Sequence, residues 1–321
     1  MTAKIALLFP GQGSQRVGMG ADLLEARPDL MGRHFDLAEQ ASGLPIRALC
    51  LEGPIEDLTR TDVAQPALFA VSMAMHELAA EAAVSADFVA GHSLGEYTAA
   101  AAAGALSVGD ALTLVSRRGQ LMATVQDERP GAMAAIIGLP AEQVDELCVQ
   151  ASAHGPVAAA NLNTPTQIVV SGEEPAVMAV LELATAAGAD RAMRLPVGAA
   201  FHSVLMRPVQ ERMAEAMAEV PWHDPRVPLV ANASADMRTT AQQVREALVA
   251  QIASPVLWVQ CIQSLTGAGV TTFLELGAGR VLSGLVRRIS PEVATFAADS
   301  PETLTAFLER ADEGPEGGPR A

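Results

Sequence analysis

A serine set between two glycines is the strongest chemical signal in this chain. Gly91-His92-Ser93-Leu94-Gly95 matches G-x-S-x-G and falls between a short apolar run at 88–90 and the alanine-rich stretch 97–103. In that context the motif makes a sharp strand-to-helix turn that holds the serine hydroxyl out at the end of a sheet. Unpaired N–H groups at the start of the helix are then placed to stabilise an oxyanion. By itself the pentapeptide also fits a serine that merely caps the helix. A nucleophilic serine needs a base, and the chain has six histidines: His34, His76, His92, His154, His202 and His223. His34 and His76 fall in helical segments and His154 in a glycine-flanked loop, so these three are expected at the surface. His202, in GAAFHS at 198–203, follows a strand end, precedes a helix and comes after the serine in chain order. Taken alone, it also fits a packed or capping histidine. A glycine-rich turn, FPGQGSQ at 9–15, follows the first strand, but the dinucleotide fingerprint fails at Arg16 and no G-K-[ST] follows. A backbone that approaches a reacting carbonyl, with the N–H of Gln12 as an oxyanion donor, is the better use of this turn.

The scaffold that must hold these groups reads as α/β. An apolar run at 4–9, closed by Pro-Gly, predicts a buried strand, and apolar spacings of three and four between 19 and 83 predict several helices. After the serine turn, Ser107 followed by Asp110 marks a helix start at 107–126. Residues 132–197 then predict strand 132–137, helix 141–151, strands 157–161 and 167–171, helix 175–187 and strand 191–197. That order is βαββαβ, a ferredoxin-like unit. The expected organisation is therefore an α/β hydrolase-like large domain with a parallel sheet (residues 1–128 and 198–311), interrupted by a ferredoxin-like small domain (129–197). The large domain resumes with helices at 204–218 and 241–252, strands at 229–231 and 272–276, and a helix at 280–289. The Gly/Pro/Glu-rich tail 312–321 is expected to be disordered.

Composition narrows the function classes. The 321 residues are half apolar and 18% charged, which excludes an intrinsically disordered chain and leaves room for about two folding units. Lys+Arg 21 against Asp+Glu 37 gives a net charge of −16, a field that opposes nucleic-acid binding. Three scattered cysteines form neither a disulfide framework nor a zinc knuckle and fit a reducing cytoplasm. The apolar stretches are too short or too broken to cross a bilayer, and the first residues lack the long apolar run of a signal peptide. Oligomeric state stays open, with a monomer as the default.

Taken together, FPGQGSQ, GHSLGEY and AFHS resemble the malonyl-CoA:acyl carrier protein transacylase family, which includes acyltransferase domains of polyketide synthases. The resemblance runs from about residue 6 to 289, through SRRGQLM, GAMAAIIGL, NLNTPTQIVVSG, SPVLWVQ and ELGAGRVLSGLVRRI. It implies ping-pong transfer of a malonyl group from malonyl-CoA to carrier-bound phosphopantetheine, with no metal or redox cofactor. Ser93 would be the nucleophile, His202 its base, and the N–H groups of Gln12 and Leu94 the oxyanion hole. A main-chain carbonyl near Gln251 would orient His202 in place of an acidic residue. Arg118 would pair with the malonyl carboxylate, which suits a planar guanidinium offering two parallel charge-assisted hydrogen bonds. Arg117, about 100° around the same helix, cannot also face the site. Leu94 and Phe201 would restrict the acyl α-substituent, and Asn161 and Asn163 would lie near the cleft, although an Asn pair before Pro165 also fits a turn.

Three rivals stand beside this reading: a discrete trans-acting polyketide synthase acyltransferase for malonyl or another acyl group, a serine hydrolase such as an editing thioesterase, and a non-catalytic carrier-binding protein, which would not need the intact pair of Ser93 and His202. The acidic net charge also poses a docking problem, because carrier proteins of this kind are themselves acidic. Arg191, Arg194, Arg207, Arg280, Arg287 and Arg288 are the expected basic rim.

Overall fold

The segment KIALLF forms β1 (Lys4–Phe9), and its last four residues are buried, as a strand covered by helices on both faces requires. Side chains alternate along it: Leu7 and Phe9 enter one core, and Ala6 and Leu8 enter the other. The computed structural model describes residues 4–128 and 130–312.

From β1 the chain runs through α1 (Ala21–Ala26), α2 (Pro28–Ser42), α3 (Ile46–Glu52), α4 (Ile55–Thr59) and α5 (Thr61–Glu81) to β2 (Phe88–Gly91). Next come α6 (Leu94–Ala102) and α7 (Val108–Glu128). The helix start expected at Ser107 is present, with Ser107 Oγ accepting from the Asp110 N–H at 3.0 Å. The small body follows: β3 (Ala132–Ile137), α8 (Ala141–Ala151), β4 (Val157–Thr164), β5 (Gln167–Gly172), α9 (Glu174–Ala186) and β6 (Arg191–Arg194). The large body resumes with α10 (Arg207–Ala218), β7 (Leu229–Val230), β8 (Met237–Arg238), α11 (Ala241–Gln251) and α12 (Trp258–Gly267). It closes with β9 (Val270–Leu276), α13 (Val281–Ile289), β10 (Ala294–Ala298) and α14 (Pro301–Asp312).

The six-stranded sheet has the order β10-β9-β1-β2-β7-β8 and is parallel except where β8 pairs antiparallel with β7 at the edge. The small sheet, β4-β5-β3-β6, is antiparallel throughout. Ala132, Ala134 and Ile136 of β3 pack beneath α8 and α9, while the alternate residues Met133 and Ala135 turn toward the large body. Edge strand β4 is tied to the segment before α12, because Leu162 N donates to Val256 O at 2.9 Å and Val256 N to Ala160 O at 2.8 Å. The crossings between the two bodies lie side by side, with Gly131 N donating to Gly198 O at 3.0 Å.

Several expectations change. β6 ends at Arg194 rather than 197, because Pro196 has no N–H to give a ladder and the chain must turn toward His202. Helices α12 and α14 and strands β8 and β10 were not expected; β10, ATFAA, is short and alanine-rich, which is weak strand chemistry. His34 is buried at the seam of α2 and α5, with Nε2 3.0 Å from Glu77 Oε1, and His76 packs edge-on against Phe9, so neither is a surface histidine. His154 is exposed. α14 reaches the first residue of the expected tail, and 313–321 lie outside the described residues, as does residue 129.

Candidate active site

Three neighbouring strands deliver the site at their carboxyl ends, where open α/β sheets bind ligands. β1 leads to Gly11 and Gln12, β2 to Ser93 and β7 to Asn232. Ser93 takes the unusual backbone angles φ 52°, ψ −108° of a strained turn. Its flanking glycines are required by space. A Cβ on Gly91 would stand 1.9 Å from the Gly95 carbonyl, and one on Gly95 would stand 2.0 Å from Phe9 O. Asn232 clamps the turn from the third strand: its Oδ1 accepts from Ser93 N at 2.7 Å and its Nδ2 donates to Gly91 O at 2.8 Å. Ser93 occupies the N-cap position of α6 but makes no side-chain capping bond, which disposes of the capping alternative.

The Ser93 hydroxyl instead lies 2.7 Å from His202 Nε2. On the other side of the ring, Nδ1 is 3.0 Å from Gln251 O. A carbonyl only accepts, so Nδ1 carries the proton and Nε2 presents a lone pair to the serine. Burial, reinforced by the nearby Arg118 charge, pushes the imidazole down to about 3, so the ring is neutral. Gln251 is the last residue of α11, where carbonyls lack intrahelical partners and carry the negative end of the helix dipole. That carbonyl occupies the place usually taken by a carboxylate.

Arg118 is 1% exposed, whereas Arg117 faces solvent. α7 presses closely on α5 at Gly119, where a Cβ would stand 3.0 Å from Thr61 O, and this brings Arg118 beside Gln65. Nη1 donates to Gln65 Oε1 at 2.8 Å, and Nη2 donates to both Ser93 Oγ and Gln251 Oε1 at 3.1 Å. The Gln251 amide nitrogen in turn donates to Ser93 O and to Glu96 Oε2, both at 2.7 Å. One glutamine therefore touches the Ser93 backbone, the histidine and the arginine.

A cleft of about 450 Å³ between the two bodies receives these groups. Gln12, Phe201, Asn161 and Asn163 line it. Gln12 is anchored by its side-chain amide, which donates to Thr61 Oγ1 at 3.2 Å. Asn161 and Asn163 both belong to strand β4 and both line the cleft, which excludes the turn alternative. Asn163 Oδ1 is 2.8 Å from His92 Nε2. Leu94 differs from expectation: its side chain is buried in the large core and is not among the cleft-lining residues. As the first residue of α6 it turns inward, leaving its N–H at a position that has no intrahelical acceptor.

Three residues of the site were not singled out from sequence. Gln65 and Asn232 gave no local signal, since their role exists only once α5 and β7 stand beside β2. Glu96 did leave one: it is the only charged residue in the apolar stretch 94–106, and a lone carboxylate in such a run is buried with a partner.

Comparison with known proteins gives the family. The model of the acyl transferase domain matches residues 6–298. The malonyl CoA-acyl carrier protein transacylase of Bacillus subtilis is 43% identical over 97% of this chain and 98% of its own length. The crystal structure of the malonyl-CoA:acyl carrier protein transacylase of Xanthomonas oryzae superposes with a TM-score of 0.92 at 39% identity, covering 97% of this chain and 99% of that one. A malonyl-transacylase solved in complex with its type II PKS acyl-carrier protein gives a TM-score of 0.92 at 38% identity, covering 96% and 100%. With the glycine-elbow serine, its histidine and the buried arginine assembled at one cleft, this chain belongs to the malonyl-CoA:acyl carrier protein transacylase family of acyl transferases.

Proposed function

We propose that this protein moves a malonyl group from malonyl-CoA to the phosphopantetheine thiol of an acyl carrier protein through a malonyl-serine intermediate. One observation carries the reading: Ser93 Oγ lies 2.7 Å from a neutral imidazole and 3.1 Å from a buried guanidinium. In the first half-reaction His202 Nε2 takes the serine proton as Oγ bonds to the thioester carbonyl carbon. The oxyanion is held by the N–H groups of Gln12 and Leu94. Collapse breaks the C–S bond, and the CoA sulfur leaves with the proton from His202. In the second half-reaction the pantetheine thiol gives its proton to His202, its sulfur attacks the acyl-serine, and Ser93 Oγ recovers the proton. The Gln251 carbonyl steadies the imidazolium formed in each half.

Arg118 receives the free carboxylate of the acyl group, with Nη2 giving up its bonds to Ser93 and Gln251 and Nε, which has no partner among the described residues, supplying the second parallel donor. A hydrolase of neutral acyl groups has no use for such a cation, which favours the transferase. Phe201 limits the space beside the α-carbon, and Asn161 and Asn163 meet the pantetheine arm along the cleft wall. The chemistry calls for no resident cofactor, since the arm arrives with CoA and with the carrier. Three buried free cysteines suit a reducing cytoplasm. Among the described residues no helix is long and apolar enough to cross a membrane. A second reading, service to a polyketide synthase, draws support from the matched complex with a type II PKS acyl-carrier protein.

Intact-protein mass after mixing with malonyl-CoA tests the proposal. A malonyl adduct is expected on the wild-type protein and not on Ser93→Ala, with transfer to a carrier outpacing release to water. No adduct on the wild type, or hydrolysis faster than transfer, overturns it.

A further inference from the structure

Glu96 is the charged side chain of the site to which the transfer chemistry assigns nothing. It is wholly buried, and its Oε2 accepts from Asn232 N at 3.2 Å and from Gln251 Nε2 at 2.7 Å. Its Oε1 has no hydrogen-bond partner among the described residues. The Gln251 amide stands between two opposite charges, with its oxygen on Arg118 Nη2 and its nitrogen on Glu96 Oε2. The other charged or titratable groups around Glu96 are Arg238 of β8, Cys261 of α12 and the adjacent Tyr97. Arg118 is thus a buried cation whose nearest carboxylate is one amide away.

A buried cation balanced by one carboxylate cannot accept a second without leaving net negative charge in a low-dielectric interior. We propose that Glu96 is the counter-ion of Arg118 before substrate binds, and that it takes up one proton from solvent when the acyl group's carboxylate occupies Arg118. The inference rests on Arg118 being the carboxylate receptor of the proposed function. Two further features support it. Burial already raises the Glu96 carboxyl to about 7, so protonation lies within reach of ordinary pH. The unpartnered Oε1 is also less costly on a neutral acid than on a carboxylate. Acyl groups without a free carboxylate make no such demand, so pH becomes a lever on selectivity. Malonyl binding weakens as pH rises above neutrality, and acetyl binding does not.

Calorimetry of the Ser93→Ala protein, which binds without reacting, tests this in pairs of buffers with different ionisation heats. Acetyl-CoA serves as the control for the CoA phosphates. At pH 8 malonyl-CoA is expected to bring in close to one proton more than acetyl-CoA, falling toward zero at pH 6. Its Kd should rise by up to about tenfold per pH unit above pH 8. Adding Glu96→Gln should abolish both effects. An unchanged proton uptake in that double variant, or malonyl binding without uptake from pH 6 to 9, overturns the proposal. If Glu96→Gln does not fold, infrared difference spectra of Ser93→Ala with 13C-labelled malonyl-CoA decide instead. A new unlabelled protonated-carboxyl stretch is expected, and its absence overturns the proposal. Malonyl-CoA that binds no better than acetyl-CoA, or a preference that survives Arg118→Ala, condemns the parent reading of Arg118.

Discussion

Arg118 Nη2 donates to Ser93 Oγ at 3.1 Å, so the buried cation and the elbow serine are in direct contact. The hydroxyl accepts from the guanidinium while donating to His202 Nε2, a pairing that fixes its proton on the side of the base. The same cation also lies close enough to depress the imidazole. In the proposed mechanism, acyl recognition and base strength are therefore coupled through one side chain.

Arg118→Ala should lower malonyl transfer by about 10- to 100-fold more than acetyl transfer, the range for losing charge-assisted hydrogen bonds worth ~1.5–3 kcal/mol. Single-turnover acylation with each acyl-CoA measures the two losses. Equal losses would mean that Arg118 serves the serine and not the carboxylate.

The pH profile of acetyl transfer reports on His202 without a substrate carboxylate, and Glu96→Gln run alongside removes the contribution of the Glu96 carboxyl, which lies at about 7. With the imidazole held down to about 3, acylation should not fall through His202 protonation between pH 8 and 5. Removing the Arg118 charge removes one cause of the depression, so the acid limb should move to higher pH in Arg118→Ala and stay put in Arg118→Lys. A limb near the ordinary histidine value in the wild type would contradict the burial argument.

Asn232→Ala should cost about 2–4 kcal/mol of stability, because it leaves the Ser93 N–H and the Gly91 carbonyl buried without partners. Activity should fall through kcat more than through KM, since the serine loses its position while the cleft wall is untouched. Chemical denaturation and steady-state kinetics on one preparation separate the two effects.

Phe201→Ser opens space beside the reacting carbon. The preference for malonyl-CoA over methylmalonyl-CoA should narrow by about 10-fold, in line with the ~1–3 kcal/mol that one methylene is worth in a fitted pocket. Competition between the two thioesters gives the ratio directly.

Carrier docking has to overcome a net charge of −16. The six arginines 191, 194, 207, 280, 287 and 288 are all exposed, and Arg288 bonds to Gln167 on the cleft wall, whereas Arg194 is engaged by Glu174 and Arg287 by Thr295. The KM for an acidic carrier should rise severalfold as salt increases from low to physiological ionic strength. Arg280→Glu with Arg288→Glu should raise the carrier KM more than the malonyl-CoA KM. Kinetics indifferent to salt would remove the basic rim.

The two ends of the site differ in how far the sequence determined them. The Ser93 elbow is local: glycines at 91 and 95 are dictated by atoms within a few residues and by the neighbouring strand, so five letters announce the turn. Strands such as β1 and β3 were equally legible, because burial on one or both faces writes itself into short apolar runs. Edge strand β10 was not, because an edge asks little of its side chains. Gln251 and Asn232 lie 158 and 139 residues from Ser93 along the chain, and their type alone says nothing about where their polar atoms go. The histidine's orientation comes from a backbone carbonyl, a group every residue carries, so no local pattern could mark it. Only the tertiary structure turned the Leu94 side chain inward, buried His34 and placed the Gln251 amide between Arg118 and Glu96. Those outcomes depend on how helices far apart in sequence pack around one sheet, which is set by the sum of many weak contacts and not by any one motif.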